Sequence, residues 1–210
     1  MKLKTLLIDD HPVVRFAVRM LLERANIEVV GEADNGEDAI NLIQQLQPHI
    51  VLLDMGLPKM DGFQVIKTLR GQMPAVKILI LTSQATPFFA LRCQQAGANG
   101  FIAKTEDLDG LVEAVYVIGR GYDHFPQAEH LEKVNDLLSA NDKDALVKLS
   151  DRELSVLVNL AKGLSNKDIS RKLLLSEKTI STYKHRLKTK LRARTIIDLI
   201  DIARRNHLLD

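Results

Sequence analysis

Residues 50–62 read IVLLDMGLPKMDG, and the fold of the first half of the chain follows from this stretch. Ile50 to Leu53 form an apolar run with no polar alternation, the mark of a strand covered on both faces. The run stops at Asp54. Gly56 and Pro58 then break the chain before a helical period opens at Asp61. The same unit recurs outward in both directions. LLI at 6–8 stops at Asp9 and Asp10, and ILIL at 78–81 stops at Thr82. We therefore expect strands over 5–9, 28–33, 50–54, 77–82 and 100–104. Helices are expected over 12–24, 36–46, 61–71, 86–96 and 108–119. A (βα)5 alternation of this kind implies an α/β doubly wound parallel sheet with right-handed crossovers.

Ligand sites of open α/β sheets form at the carboxyl ends of the strands, near the point where strand order reverses. The expected strands deliver Asp9 and Asp10, Asp54, Thr82, and Lys104 to that edge. Any one of these alone reads as a turn residue, a helix cap or a solvated lysine. Their joint placement at four strand ends does not. Three neighbouring carboxylates repel unless a cation joins them, and oxygen donors suit a hard divalent ion, Mg²⁺ above all. Asp54, alone on the central strand, is then the natural nucleophile for an acyl phosphate. Lys104 would neutralise phosphoryl oxygens as a point charge, and Thr82 would donate a hydroxyl hydrogen bond to another.

With 210 residues, the chain suits two small domains better than one. Its single cysteine, Cys93, excludes an internal disulfide, no stretch is apolar enough to span a bilayer, and the N-terminus has no signal-peptide core, so a cytoplasmic protein is expected. The net charge of +2 hides an asymmetry. Residues 1–121 carry −2, residues 122–142 carry −4, and residues 143–210 carry +8. We take these as a first domain, an acidic linker and a basic second domain. Leu131, Val134, Leu137 and Leu138 sit at helical spacing in the linker. The basic domain calls for a polyanionic partner.

From Leu149 the pattern turns all-helical, with helices expected over 151–162, 166–173, 177–192 and 196–206. Ser150 with Glu153 forms a capping box. Ser165, Ser176 and Thr195 precede the next three helices, and Gly163 ends the first. Only 174–176 separates the second helix from the third, which is helix-turn-helix spacing. In the third helix Ile180, Tyr183, Leu187 and Leu191 recur as an apolar stripe. The opposite face carries Lys178, Ser181, Thr182, His185 and Lys188, with Thr179 and Lys184 beside them. Such a face fits the major groove of double-stranded DNA, lysines on phosphates and short polar side chains on base edges. Asn166 and Lys167 open the preceding helix and point its N-terminus at the backbone. A basic amphipathic helix can equally meet a membrane surface or a partner protein.

The pieces LLIDDHP, IVLLDMGLPKMDG, ILILTSQ and GANGFIAK resemble the receiver domain of two-component response regulators. That resemblance implies that Asp9, Asp10, Asp54 and the backbone carbonyl of Gly56 bind Mg²⁺. It implies that a sensor histidine kinase or phosphotransfer protein phosphorylates Asp54, and that Thr82 and Lys104 read the phosphoryl group. Phe101, three residues before Lys104, matches the switch aromatic of such domains, and a plain core aromatic is its other reading. LSDRELSVLVNLAKGLSNKDISRKLLLSEKTISTYKHRLKTKL, residues 149–191, resembles the LuxR-type helix-turn-helix, with Ser170 in place of the usual Ala. The domain order is similar to the NarL/FixJ group, and SEKTISTYKHRL and RCQQAGANGF stand closest to BvgA/EvgA-type regulators. The resemblance implies a transcription regulator, not an enzyme, that binds promoter DNA and is a homodimer when active.

Two rivals are weaker. A haloacid-dehalogenase-type phosphatase also uses an Asp nucleophile and Mg²⁺, but on a first-strand DxDxT, where this chain has IDDHP. No GxxxxGK[ST] or GxGxxG phosphate loop is present. In the second rival the receiver is a phosphorylation-independent dimerisation or docking platform, which has no need of Asp9, Asp10, Asp54, Thr82 and Lys104 together.

Overall fold

The computed structural model describes residues 2–83, 86–104, 109–126, 145–173, 175–206 and 208–209. Two compact units form, the first from residues 1–85 and 89–126 and the second holding the C-terminal helices.

The first unit contains β1 (Lys4–Ile8), α1 (Pro12–Arg24), β2 (Glu28–Ala33), α2 (Gly36–Leu46), β3 (Ile50–Leu53), α3 (Gly62–Gln72), β4 (Lys77–Thr82), all but the first two residues of α4 (Pro87–Ala96), β5 (Gly100–Ala103) and α5 (Asp109–Gly119). All strand pairs are parallel and the order is β2-β1-β3-β4-β5. Strand order therefore reverses between β1 and β3, which opens the crevice that ligands use. Ile50 through Leu53 and Ile78 through Leu81 are all buried, as unalternated runs require. Leu7, Leu52, Leu79, Leu81 and Ile102 form one core face with Val18 and Leu22 of α1 and with Leu111, Ala114, Val115 and Ile118 of α5. Each fully buried aliphatic side chain contributes about 1.5–3 kcal/mol to folding.

Three strands stop one residue earlier than the sequence reading had them. Asp9, Asp54 and Lys104 are the first residues beyond β1, β3 and β5. Their N–H groups still reach Ala33, Ile8 and Thr82 carbonyls at 3.1, 2.8 and 2.8 Å, but the paired ladder has ended. The turn after β3 is held against α3 at Gly62, where a Cβ would lie 2.8 Å from Met55 Cα. Only glycine lets the loop that carries Asp54 and Gly56 close onto that helix.

Tyr122–Pro126, read from sequence as the start of the linker, lies along β5. Phe101 N donates to His124 O at 2.8 Å, and His124 N donates to Asn99 O at 2.9 Å. Leu131, Val134, Leu137 and Leu138 lie outside the described residues, as does Leu108.

The second unit contains α6 (Asp151–Ala161), α7 (Asn166–Leu173), α8 (Glu177–Lys190) and α9 (Ile196–Arg205). Each N-cap read from sequence is made. Ser150 with Glu153 and Thr195 with Asp198 form reciprocal capping boxes, and Ser176 accepts from Thr179 N. Ser165 Oγ accepts from Asp168 N at 3.2 Å. Gly163, at φ +79°, ends α6 in the left-handed conformation that favours glycine. Helix α6 packs on both α8 and α9, and α7 packs on α8. α8 ends at Lys190, two residues before the expected end, because Arg192 turns to φ +53°.

Candidate phosphoacceptor pocket and nucleic-acid interface

At the carboxyl edge of the first unit, the side chains of Asp9 and Asp54 are buried and that of Asp10 is partly exposed. Lys104 Nζ lies 2.6 Å from Asp9 Oδ2 and 3.1 Å from Asp54 Oδ1. His11, to which the sequence reading gave no role, joins them. Its Nδ1 lies 3.2 Å from Asp9 Oδ1 and 2.7 Å from Asp10 Oδ1. One ligand atom from each of Asp9, Asp10, His11 and Asp54 falls within 4.8 Å of the others. Its place directly after two strand-end aspartates was the available signal for His11.

The electrostatics follow from burial. Desolvation pushes the Asp54 carboxyl above the ordinary carboxylate value, Asp9 and Asp10 push it further, and the Lys104 charge opposes them. Burial alone would lower the Lys104 ammonium, but Asp54 and Asp9 outweigh it and hold Lys104 above the usual lysine value. Asp9 Oδ2, beside the Lys104 ammonium, and Asp10 Oδ1, beside the His11 ring, are buried without a directed hydrogen bond. A carboxylate set with oxygens in that state fits a hard divalent cation.

Thr82 and Phe101 are buried on neighbouring strands. Ile80, two residues before Thr82, pairs with Phe101 in the sheet register. The Phe101 ring packs edge-to-face on Phe89 at 6.1 Å, and Phe89 packs on Phe63 at 5.7 Å. Gly56 is partly exposed in the turn just beyond Asp54.

In the second unit, Ile180 and Leu187 of α8 are fully buried and Leu191 is 9% exposed, so the apolar stripe faces the core as read. Tyr183 is only half-buried. Lys178, Ser181, Thr182 and His185 are exposed and Lys188 is half-exposed, forming one outer face; Lys167 is exposed on α7. Ser181 Oγ and Thr182 Oγ1 donate to the Glu177 and Lys178 carbonyls of their own helix at 3.0 and 3.1 Å, and three other candidates are engaged as well. Thr179 Oγ1 lies 2.8 Å from Ser176 Oγ, within the helix cap. Lys184 Nζ donates to Asn166 Oδ1 at 2.8 Å, and Asn166 Nδ2 donates to Ser181 Oγ at 3.4 Å. A contact absent from the sequence reading is the pair Lys190 Nζ–Glu153 Oε2 at 2.6 Å, with Glu153 buried. Periodicity could not reveal it, since the two residues are 37 positions apart.

The model of the response regulator receiver domain matches residues 5–116, and that of the bacterial regulatory proteins of the luxR family matches residues 147–203. The chain belongs to the two-component response regulators. This response regulator is 45% identical over 205 residues to the virulence-factor transcription regulator BvgA of Bordetella pertussis, covering 98% of each chain. It is 36% identical over 206 residues to the DNA-binding transcriptional activator EvgA of Escherichia coli K12, covering 98% of this chain and all of the relative. Among solved structures, it is similar to RcsB of Salmonella enterica serovar Typhimurium bound to promoter rprA in the presence of phosphomimetic BeF3⁻, with 26% identity, a TM-score of 0.60, and coverage of 96% of this chain and 98% of that one. The family is one of transcription regulators, not enzymes, which disposes of the phosphatase rival. Among the described residues of this response regulator, no helix is long and apolar enough to cross a membrane.

Proposed function

We propose that this response regulator is a cytoplasmic, phosphorylation-controlled transcription regulator in which Asp54 accepts a phosphoryl group and α8 reads promoter DNA. The observation that carries the reading is the pocket, with Lys104 Nζ held 2.6 Å from Asp9 and 3.1 Å from Asp54 at the strand-order switch. A sensor histidine kinase or phosphotransfer protein is the donor. A carboxylate oxygen of Asp54 attacks the phosphorus of its phosphohistidine; the P–O bond forms as the P–N bond breaks, and the imidazole departs with the electron pair. Asp9, Asp10, Asp54 and the carbonyl of Gly56 would hold Mg²⁺, which when bound neutralises the acidic cluster and offers positive charge to phosphoryl oxygens.

Lys104 then exchanges its Asp54 partner for a phosphoryl oxygen, and the Thr82 hydroxyl donates to another. Phosphorylation adds about −1.5 to −2 charge and three acceptors. Phe101, packed on Phe89, is the aromatic that follows Thr82 when that loop moves. The output is a homodimer that reads a two-fold DNA site through Lys178, Ser181, Thr182, His185 and Lys188, with Lys167 on a phosphate. Asn166, Thr179 and Lys184 stand at the edge of that face. The domain limits that accompany this reading are 1–121 for the receiver, 122–142 for the linker and 143–210 for the DNA-binding domain. In support, a relative similar over nearly its whole length is bound to promoter DNA with a phosphomimetic.

A gel-shift titration on promoter DNA, with and without a small-molecule phosphodonor and Mg²⁺, tests the switch and its site together. The phosphodonor is expected to tighten binding of the wild type and to leave Asp54→Ala unchanged. Equal binding of both proteins under all conditions removes phosphate control of DNA affinity.

A further inference from the structure

We infer that Lys184 is a positioning residue of the recognition helix rather than a phosphate contact, and that Asn166 is the residue that holds it. The inference deepens the DNA-binding reading and rests on it. The Asn166 amide has one acceptor and one donor group, and both are directed at α8: Oδ1 takes Lys184 Nζ at 2.8 Å, and Nδ2 reaches Ser181 Oγ at 3.4 Å. Lys184 and Ser181 are three residues apart and so adjacent on one helix face. One side chain in the first turn of α7 thus spans two levels of α8.

Lys184 is half-buried, whereas Lys178 and His185 are exposed on the same helix. Burial first, and then the charge of Lys188, hold its ammonium below the ordinary lysine value. This is a cation built into the protein rather than extended to solvent. A second pin lies farther along, where Lys190 Nζ meets Glu153 Oε2 of α6 at 2.6 Å and the Lys148 carbonyl at 3.3 Å. Two lysines of α8 are therefore tied to two different helices, about 9 Å apart along the axis. Pins at two levels set both the tilt and the rotation of α8. Rotation decides whether Ser181, Thr182 and His185 meet base edges, so the pins act on sequence preference through other residues.

The test uses the full chain with a small-molecule phosphodonor and Mg²⁺. Binding is titrated across salt concentration on a duplex that the wild type selects from a random pool, and on an unselected duplex of the same length. Lys178→Ala, an exposed cation, is expected to flatten the salt slope by about one on both duplexes. Lys184→Met should leave both slopes unchanged and lower the selected-over-unselected affinity ratio about tenfold, the scale of one base contact. Lys184→Gln loses the charge but keeps an N–H for Asn166 Oδ1, and should recover most of that ratio. Asn166→Ala should match Lys184→Met, with the double variant losing no more than either single. A salt slope that falls by about one in both Lys184 variants, or a Gln variant no better than Met, overturns the positioning role. If the wild type selects no duplex at all, the DNA-binding reading itself fails, which is a separate outcome.

Discussion

Glu32 shows how much a single carboxylate at the end of β2 organises. It accepts from Arg15 Nε at 3.0 Å and from Arg19 Nε at 2.6 Å, while Arg15 also reaches the Asp9 carbonyl. Burial would raise the Glu32 carboxyl, but the two guanidinium groups outweigh it and hold it below the ordinary carboxylate value. A depressed carboxyl stabilises the fold above its unfolded value and loses that contribution as pH falls through its folded value. Glu32→Gln is therefore expected to cost about 0.5 kcal/mol at pH 7, small because the groups are partly solvated. The difference from wild type should shrink in thermal melts as pH falls below the ordinary carboxylate range; a difference that is constant with pH would show that the charge is not what matters. Among single residues, the strand-end places of Asp9, Asp10, Asp54, Thr82 and Lys104 were legible because each stands at the end of an apolar run. Glu32 was not, because a carboxylate inside a strand has no periodic signal.

The second unit is held together by contacts between helices that local signals did not announce. Its caps were readable, since Ser150, Ser165, Ser176 and Thr195 act within three residues of themselves. Glu153 serves twice: it closes the Ser150 capping box at 2.7 Å and meets Lys190 of α8 at 2.6 Å. With Lys190 removed, a buried carboxylate keeps its cap but loses its cation. Lys190→Met is expected to destabilise the C-terminal domain by about 2 kcal/mol, less than for a fully enclosed pair because Lys190 is 40% exposed. Chemical denaturation followed in the excised C-terminal domain checks this, and a change within about 0.5 kcal/mol, the usual surface value, would place the pair among inconsequential ones. The shortening of three strands by one residue belongs to the same scale. Apolar runs mark where a strand is buried, whereas its end is set by where its neighbours stop pairing.

Across the whole molecule, charge is partitioned into a −2 receiver, a −4 segment and a +8 helical domain. Like-charged DNA-binding domains repel until something draws two chains together, and a local phosphoryl switch on the receiver is a means of biasing that equilibrium. Sedimentation velocity with phosphodonor and Mg²⁺ is expected to shift the wild type toward dimer and to leave Asp54→Ala where it was. Identical profiles for treated and untreated wild type would remove dimerisation from the mechanism and leave the output to the DNA-binding domain alone.

The parallel (βα)5 order, the strand-end carboxylates and lysine, the helix caps and the apolar and basic faces of α8 are all written in the order of the residues. All of these are set by periodicity or by neighbours within a turn, and both are written along one dimension. Tertiary structure alone decided which of the basic-helix residues are available. Lys178 and Lys184 are both lysines on one helix, yet one is exposed and the other is held by Asn166 at 2.8 Å. Likewise, only folding laid His124 along β5 and closed Glu153 on Lys190. The three share one cause: such contacts depend on the distances and angles at which elements pack, and those arise only when the cores are formed.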